Sequence, residues 1–342
     1  MASDADLGER LAARTLELID IPSESRDEAP LAAHVAGVLA AADVPAADLG
    51  DTCVLARRGA PVLLAGHLDT VPAQDNRPGR RDGDRVIGLG ASDMKGALAV
   101  MIELALAGAP FDCLFFGREE LPMRESALSP LLARERLEYE LVVMMEPTDN
   151  ELHAGCMGNV HATWTFHGRS GHSARPWDAE NAIHNAAPAI AELAARTPEE
   201  HVFDGLAFHE VASVTEIHGG VAGNVIPDRV ECHVNYRCAP GRTPDAAEGR
   251  LRELCPGDLR IESLSPSGPV ALDNPRARAL IEAGRLTVAP KQAWTPVAEF
   301  GLAGLDAVNF GPGAPAQAHR RDESVAVAAL VRSYRVLEAF VA

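Results

Sequence analysis

The sequence predicts an α/β protein in two parts, a layered α/β domain and an α+β unit inserted into it. Three observations carry that prediction. Short apolar runs at 61–65, 113–116 and 141–145 alternate with helical stripes, the pattern of buried strands covered by helices. Beyond Gly158 the segments follow the order β-α-β-β-α-β, the split order of ferredoxin-like units. At 342 residues the chain is also long enough for two cores. The inserted unit is placed at 158–265 and the layered domain at 1–157 and 266–342.

In chain order, Leu7, Leu11 and Leu18 mark a helical stripe that stops at Ile21-Pro22-Ser23, and Leu31, Val35, Val38, Leu39 and Ala42 mark a second helix. The three apolar runs follow, with an apolar helix at about 96–107 between the first and second. In the inserted unit strands are predicted at 159–166, 211–217, 229–237 and 259–263, and helices at 179–195 and 243–254. The run Val230-Glu231-Cys232-His233-Val234-Asn235-Tyr236-Arg237 alternates cleanly, so one face of that sheet is buried and the other is free for a subunit contact. A helix near 276–284 and an apolar segment at 305–310 return the chain to the first domain.

A formal net charge of -18 repels polyanions, so nucleic acid and anionic membrane surfaces are unfavourable partners. The acidic start Asp4-Ala5-Asp6 does not resemble a signal peptide and no apolar run has bilayer-spanning length, so a cytoplasmic location is expected. The six cysteines include no C-x-x-C pair, which points to reduced, mostly buried thiols rather than a thiolate zinc site or a disulfide framework.

Each of the three apolar runs ends in metal-capable groups: His67 and Asp69 after the first, Glu119-Glu120 after the second, and Glu146-Pro147-Thr148 after the third. Strand ends of this kind are where α/β sheets collect ligands. Alternation puts His67 and Asp69 on one side, which suits a ligating histidine with a carboxylate on or near its other ring nitrogen. A core histidine satisfied by a neighbouring aspartate is the alternative for one His-x-Asp alone. Asp93, in Gly90-Ala91-Ser92-Asp93-Met94-Lys95-Gly96, and His319, after Gly311-Pro312-Gly313, belong with them. So many carboxylates converging on one sheet edge need cations, and mixed histidine and carboxylate ligation fits two zinc ions, with cobalt or manganese also suited. There is no Walker motif, no H-E-x-x-H and no G-x-S-x-G elbow. Gly88-Leu89-Gly90 is half of a dinucleotide fingerprint, but Asp93 stands where its third glycine belongs.

These motifs, together with Gly171-His172-Ser173 and Asn224-Val225-Ile226-Pro227, resemble in kind and order the di-zinc aminoacylase and carboxypeptidase family, which includes succinyl-diaminopimelate desuccinylases and acetylornithine deacetylases. The resemblance is greatest to desuccinylases of actinobacterial type, through Ala179-Glu180-Asn181-Ala182-Ile183-His184 and Gly219-Gly220-Val221-Ala222-Gly223-Asn224. It implies a catalytic di-zinc domain with an inserted dimerisation (lid) domain, and a homodimer. Asp93 would lie between two metals, with His67 and Glu146 completing one site and Glu120 and His319 the other. Asp69 would orient His67, Glu119 would be the general base, and His172 would reach the partner subunit's site to face the oxyanion. Arg175, Asn224, Arg237 and Thr295 are the implied substrate-binding candidates. The implied reaction is hydrolysis of the small-molecule amide N-succinyl-L,L-diaminopimelate in lysine biosynthesis.

Two positions depart from the family pattern. Desuccinylases carry T-D-x-x-R-F where this chain reads Thr295-Pro296-Val297-Ala298-Glu299-Phe300, and charge reversal at Glu299 would repel an anionic substrate. That favours a related deacylase or dipeptidase taking a neutral or cationic group, unless Arg175, Arg237 and backbone amides of the glycine-rich turns suffice. Arg118, where the family has an acidic residue nearby, is expected to be exposed. A non-catalytic binding protein on the same fold is the third alternative, and the presence of Glu119 beside a full ligand set weighs against it.

Overall fold

The computed structural model describes residues 3–341 and divides into two compact units. The first comprises the residues up to Gly155, Gly268–Lys291, and those from Thr295 on; the second comprises Cys156–Ser267 and Gln292–Trp294.

The first unit is built on an eight-stranded mixed sheet in the order Ala46–Asp48, Val54–Ala56, Asp112–Phe116, Val62–His67, Leu141–Met144, Ala307–Asn309, Leu152–Ala154, Val288–Pro290. The strands Asp112–Phe116, Val62–His67, Leu141–Met144 and Ala307–Asn309 run parallel and are buried throughout. Burial on both faces explains why their sequences read as continuous apolar runs instead of alternating. The helix Gly96–Leu106 is buried from Gly96 to Ala105, which accounts for its uniformly apolar composition. It packs with Asp4–Asp20 and Val327–Phe340. Ser3 caps Asp4–Asp20, its hydroxyl accepting from the Asp6 N–H at 3.2 Å, and Leu7, Leu11 and Leu18 form the buried stripe.

Close approach of backbones brings the C-terminal segment to the sheet edge. A Cβ on Gly311 would collide with the carbonyl oxygens of Met145 and Glu146, and one on Gly313 with that of Ser92. Glycine is required at both positions for this segment to lie against the Glu146 strand end and the Asp93 turn. Farther along, Ser324–Ala326 pairs with Arg85–Ile87, so the chain that carries His319 is tied to the strand preceding Asp93. This pairing and the helix Val327–Phe340 were not anticipated from the sequence.

The second unit is an antiparallel five-stranded sheet in the order Glu199–Phe203, Leu206–Gly219, Arg229–Cys238, Gly158–His167, Asp258–Ser265. The four strands from Leu206–Gly219 to Asp258–Ser265 reproduce the ferredoxin-like order, and the edge strand Glu199–Phe203 is an addition to it. The addition follows from Asp204-Gly205, both at positive φ (49° and 80°), a two-residue hairpin turn of the kind that Asp-Gly favours. The helices Ala182–Ala194 and Pro244–Leu254 bury Ala182, Ala186, Leu193, Ala247 and Leu251 against Val160, Ala162, Trp164, Val230, Val234 and Tyr236. The first of these helices starts later than the sequence predicts because Asn181 caps it, its side chain accepting from the Ile183 N–H at 2.9 Å. Asn159, His161, Thr163, His233, Asn235 and Arg237 alternate with the core residues and stay partly exposed. Among the described residues no helix is long and apolar enough to cross a membrane.

Candidate metal centre

His67 ends the buried strand Val62–His67, and its ring is held by the chain just beyond. Nδ1 lies 3.0 Å from the main-chain carbonyl oxygen of Asp69, so it is the nitrogen that donates, and Nε2 points into the site. The Asp69 carboxylate is 3.6 Å from Nδ1 and is engaged elsewhere. It accepts from the N–H groups of Glu119 (2.9 Å) and Glu120 (3.0 Å) and from the Ser25 hydroxyl (2.8 Å). Asp69 thus meets the His67 ring with its main-chain carbonyl at 3.0 Å and its carboxylate at 3.6 Å, and the same carboxylate builds the turn that presents both glutamates. Burial alone would raise the Asp69 pKa, but the neighbouring His67 ring and the two backbone N–H groups outweigh it and hold the carboxyl below its usual range.

Asp93 sits at the centre, with its two oxygens facing different partners. Oδ1 is 3.1 Å from His67 Nε2, and Oδ2 is 3.6 Å from His319 Nε2. Glu146 Oε1 lies 3.8 Å from His67 Nε2, and Glu120 Oε1 lies 3.1 Å from His319 Nε2. His67, Asp93 and Glu146 can offer one atom each within 4.8 Å of one another, and so can Asp93, Glu120 and His319. Glu119 Oε2 stands 4.0 Å from His67 Nε2, outside the two sets that contain Asp93, although His67, Glu119 and Glu120 can also offer one atom each within 4.8 Å of one another.

The electrostatics call for added positive charge. Burial, and then the neighbouring Glu146, push Glu119 well above the usual carboxylate range, and burial with Asp93 pushes Glu146 up to about 7. Burial disfavours charge on His67, yet the carboxylates around it prevail and hold it well above the ordinary histidine value. The bond to Glu120 raises His319 to about 9. Glu146 Oε1 is buried without a hydrogen-bond partner among the described residues, a state costing about 1–3 kcal/mol that a coordinated cation would relieve. The donor set, two imidazoles and hard carboxylates, fits divalent metals.

Two residues of the site went unrecognised in the sequence. Glu323, 1% exposed, accepts from the backbone N–H groups of Gly90 (2.9 Å), Ser92 (2.8 Å) and Asp93 (2.8 Å), and so fixes the turn that aims Asp93. Lys291, also buried, donates to the Pro147 carbonyl at 3.2 Å and lies 3.8 Å from Glu146 Oε2. Neither sits in a recognisable motif.

The other candidates are distributed as follows. His172, Arg175 and Asn224 are exposed in the second unit, where Gly171–His172 pairs with Val225–Ile226 and the Ser173 N–H donates to the Asn224 carbonyl at 3.0 Å. His172 Nδ1 accepts from the Ala174 N–H at 3.1 Å, leaving the proton on Nε2. Arg237 is half-buried, and its Nε donates to Asn235 Oδ1 at 3.0 Å. Thr295 is buried in the first unit just before the helix Val297–Leu302, whose entry at Pro296 has the φ of -58° that proline prefers.

Two sequence expectations are corrected here. Arg118 is not exposed: its side chain is 20% accessible, paired with Asp51 at 2.5 Å and donating to the Glu125 carbonyl at 2.7 Å. Glu299 is not an exposed charge facing a substrate: it is 2% exposed, accepts from the Ser129 hydroxyl at 2.5 Å, and has its pKa raised by burial. A carboxyl raised in the folded state binds more protons there than in the unfolded chain, so its contribution to stability falls as pH rises above about 4.5. Glu299→Gln is therefore expected to raise Tm at pH 8 by about 2 °C or more and to leave it unchanged at pH 4, as followed by thermal unfolding; an equal shift at both pH values would mean that burial does not raise the pKa of this carboxyl.

Residues 155–260 match the peptidase dimerisation domain of M20 peptidases. The fold is shared with a Bacillus subtilis protein described as a dinuclear metal binding peptidase of the M20 family, at a TM-score of 0.73 and 16% identity over 99% of this chain and 98% of that one. Fold and site thus define a metal-dependent hydrolase. A Mycobacterium tuberculosis protein provisionally assigned as succinyl-diaminopimelate desuccinylase is 38% identical over 95% of this chain and 96% of its own. The Corynebacterium glutamicum succinyl-diaminopimelate desuccinylase is 34% identical over 94% of both, and the Xanthomonas campestris N-acetyl-L-citrulline deacetylase 32% over 83% of both. The chain belongs to the M20 metallopeptidase family, among the relatives of succinyl-diaminopimelate desuccinylase.

Proposed function

We propose that this protein is a zinc-dependent desuccinylase that hydrolyses N-succinyl-L,L-diaminopimelate to succinate and L,L-diaminopimelate in cytoplasmic lysine biosynthesis. The observation that carries the chemistry is Asp93, whose two oxygens face two separate ligand sets. The substrate follows from the named relatives and from the burial of Glu299, which removes the objection that an anionic succinyl amide would be repelled there.

On this reading His67, Asp93 and Glu146 hold one zinc ion and Asp93, Glu120 and His319 the other. Bound there, the ions supply Lewis acidity that polarises the amide carbonyl and makes water a better nucleophile near neutral pH. Glu119, outside both sets, takes the proton of the attacking water at its carboxylate and delivers it to the departing amine. Asp69 keeps Glu119 in place through its backbone N–H. The Nε2–H of His172 donates to the oxyanion across a homodimer formed through the 158–265 unit, the 1–157 and 266–342 part being catalytic. Arg175, Asn224, Arg237 and Thr295 receive the polar ends of the substrate.

Metal analysis of the purified protein tests the centre. Two zinc ions per chain are expected, with Asp93→Ala reducing the count below one because both sets lose a member. Two ions retained by Asp93→Ala would refute the shared-ligand arrangement.

A further inference from the structure

On the partly exposed face of the second unit, six side chains from three strands form one continuous hydrogen-bonded chain, and its direction can be read from its end. Arg237 has only donors, so its Nε–H, 3.0 Å from Asn235, fixes that atom as the amide oxygen. The Asn235 amide nitrogen then faces Asn159 Oδ1 at 2.7 Å, which turns the Asn159 amide nitrogen toward His161 Nε2 at 3.0 Å. The Asn235 amide nitrogen approaches that same Nε2 at 3.3 Å. A ring nitrogen facing two donors has to accept, so the His161 proton is on Nδ1. That proton points at His233 Nε2, 3.1 Å away, and the remaining His233 proton, on Nδ1, points at the Thr215 hydroxyl at 2.5 Å. The Thr215 hydroxyl in turn lies within reach of the His233 carbonyl oxygen at 3.4 Å.

The chain therefore has one donor per link and no slack. Both rings have to be neutral, since an extra proton on either Nε2 would face a donor. Burial, reinforced by His233 and Arg237, holds the His161 pKa below the ordinary histidine value, which is consistent with this. Beyond Nε, the two terminal nitrogens of Arg237 have no carboxylate and no hydrogen-bond partner among the described residues, so a half-buried cation is left aimed by Asn235 alone.

We propose that Asn235, Asn159, His161 and His233 are positioning residues that fix the direction of the Arg237 guanidinium, the receptor for a carboxylate of the amide substrate. This rests on Arg237 contacting substrate, as assigned above.

The test uses the full-length zinc enzyme with 15N-labelled histidine. Long-range proton–nitrogen correlation at pH 8 is expected to show His161 and His233 protonated on Nδ1, and a proton on either Nε2 would overturn the proposal. Asn235→Asp replaces a donor by an acceptor next to Asn159, which reverses that amide and moves both ring protons to Nε2; unchanged tautomers in this variant would also overturn it. In the kinetic arm, His161→Phe is expected to raise KM for N-succinyl-L,L-diaminopimelate about tenfold while kcat changes less than about twofold, with circular dichroism confirming the fold. If His161→Phe leaves KM unchanged while Arg237→Met raises it, the positioning role is wrong and the recognition role stands. If Arg237→Met itself leaves KM unchanged, the assignment of Arg237 as receptor fails, whatever the tautomers.

Discussion

Glu119→Gln is expected to lower kcat by about 10²- to 10⁴-fold or more while leaving two metals bound. The substitution keeps the shape of the side chain and the backbone N–H that Asp69 accepts, but removes the atom that carries the proton. Glu119 stands 4.0 Å from His67 Nε2 and belongs to neither ligand set centred on Asp93, which is why metal and activity should separate. Metal content measured beside kcat on the same preparation decides the matter. Parallel loss of both would make Glu119 a ligand, and unchanged kcat would leave the reaction without its proton carrier.

Glu323→Ala should have the largest effect on the scaffold of the site. Its carboxylate collects three backbone N–H groups of the Asp93 turn at 2.8–2.9 Å, and in the alanine variant these donors are left buried beside a cavity. The expected loss is about 3–5 kcal/mol, since hydrogen bonds to charged groups are worth roughly 1.5–3 kcal/mol each and not all of the N–H groups will stay unsatisfied. Thermal unfolding and metal titration should both register it, with zinc affinity falling because Asp93 is no longer aimed. Glu323→Gln, which keeps one good acceptor for Ser92 and Asp93, should recover part of both losses. A variant that unfolds at the wild-type temperature and holds zinc normally would show that the Asp93 turn keeps its shape unaided.

Much of this was legible in the chain because burial on both faces writes itself into sequence. The strands ending at His67, Phe116 and Met144 are buried throughout and carry unbroken apolar runs, so the polar residues at and beyond their ends stood out. His67, Asp93, Glu119, Glu120, Glu146 and His319 are drawn to one place by strand ends and by glycines that let backbones touch. Long-range pairing was not legible. Lys291 approaches Glu146 from a distant part of the chain, and Glu323 reaches Asp93 only because Ser324–Ala326 pairs with Arg85–Ile87. Glu299 was misjudged because its charge was read without its burial beside Ser129, and the edge strand Glu199–Phe203 was missed although Asp204-Gly205 signals its turn.

Hydrolysis of N-succinyl-L,L-diaminopimelate by the zinc-loaded protein, with N-acetyl-L-citrulline, N-acetylornithine and a small dipeptide panel run beside it, tests the central claim most directly. The expected kcat/KM for the succinyl substrate is at least about a hundredfold above the others, because its acyl group, unlike acetyl, brings a carboxylate of its own to the cationic side chains. Comparable or faster turnover of an N-acetyl amide or a dipeptide would contradict it and place the enzyme with the deacetylases or the peptidases of its family.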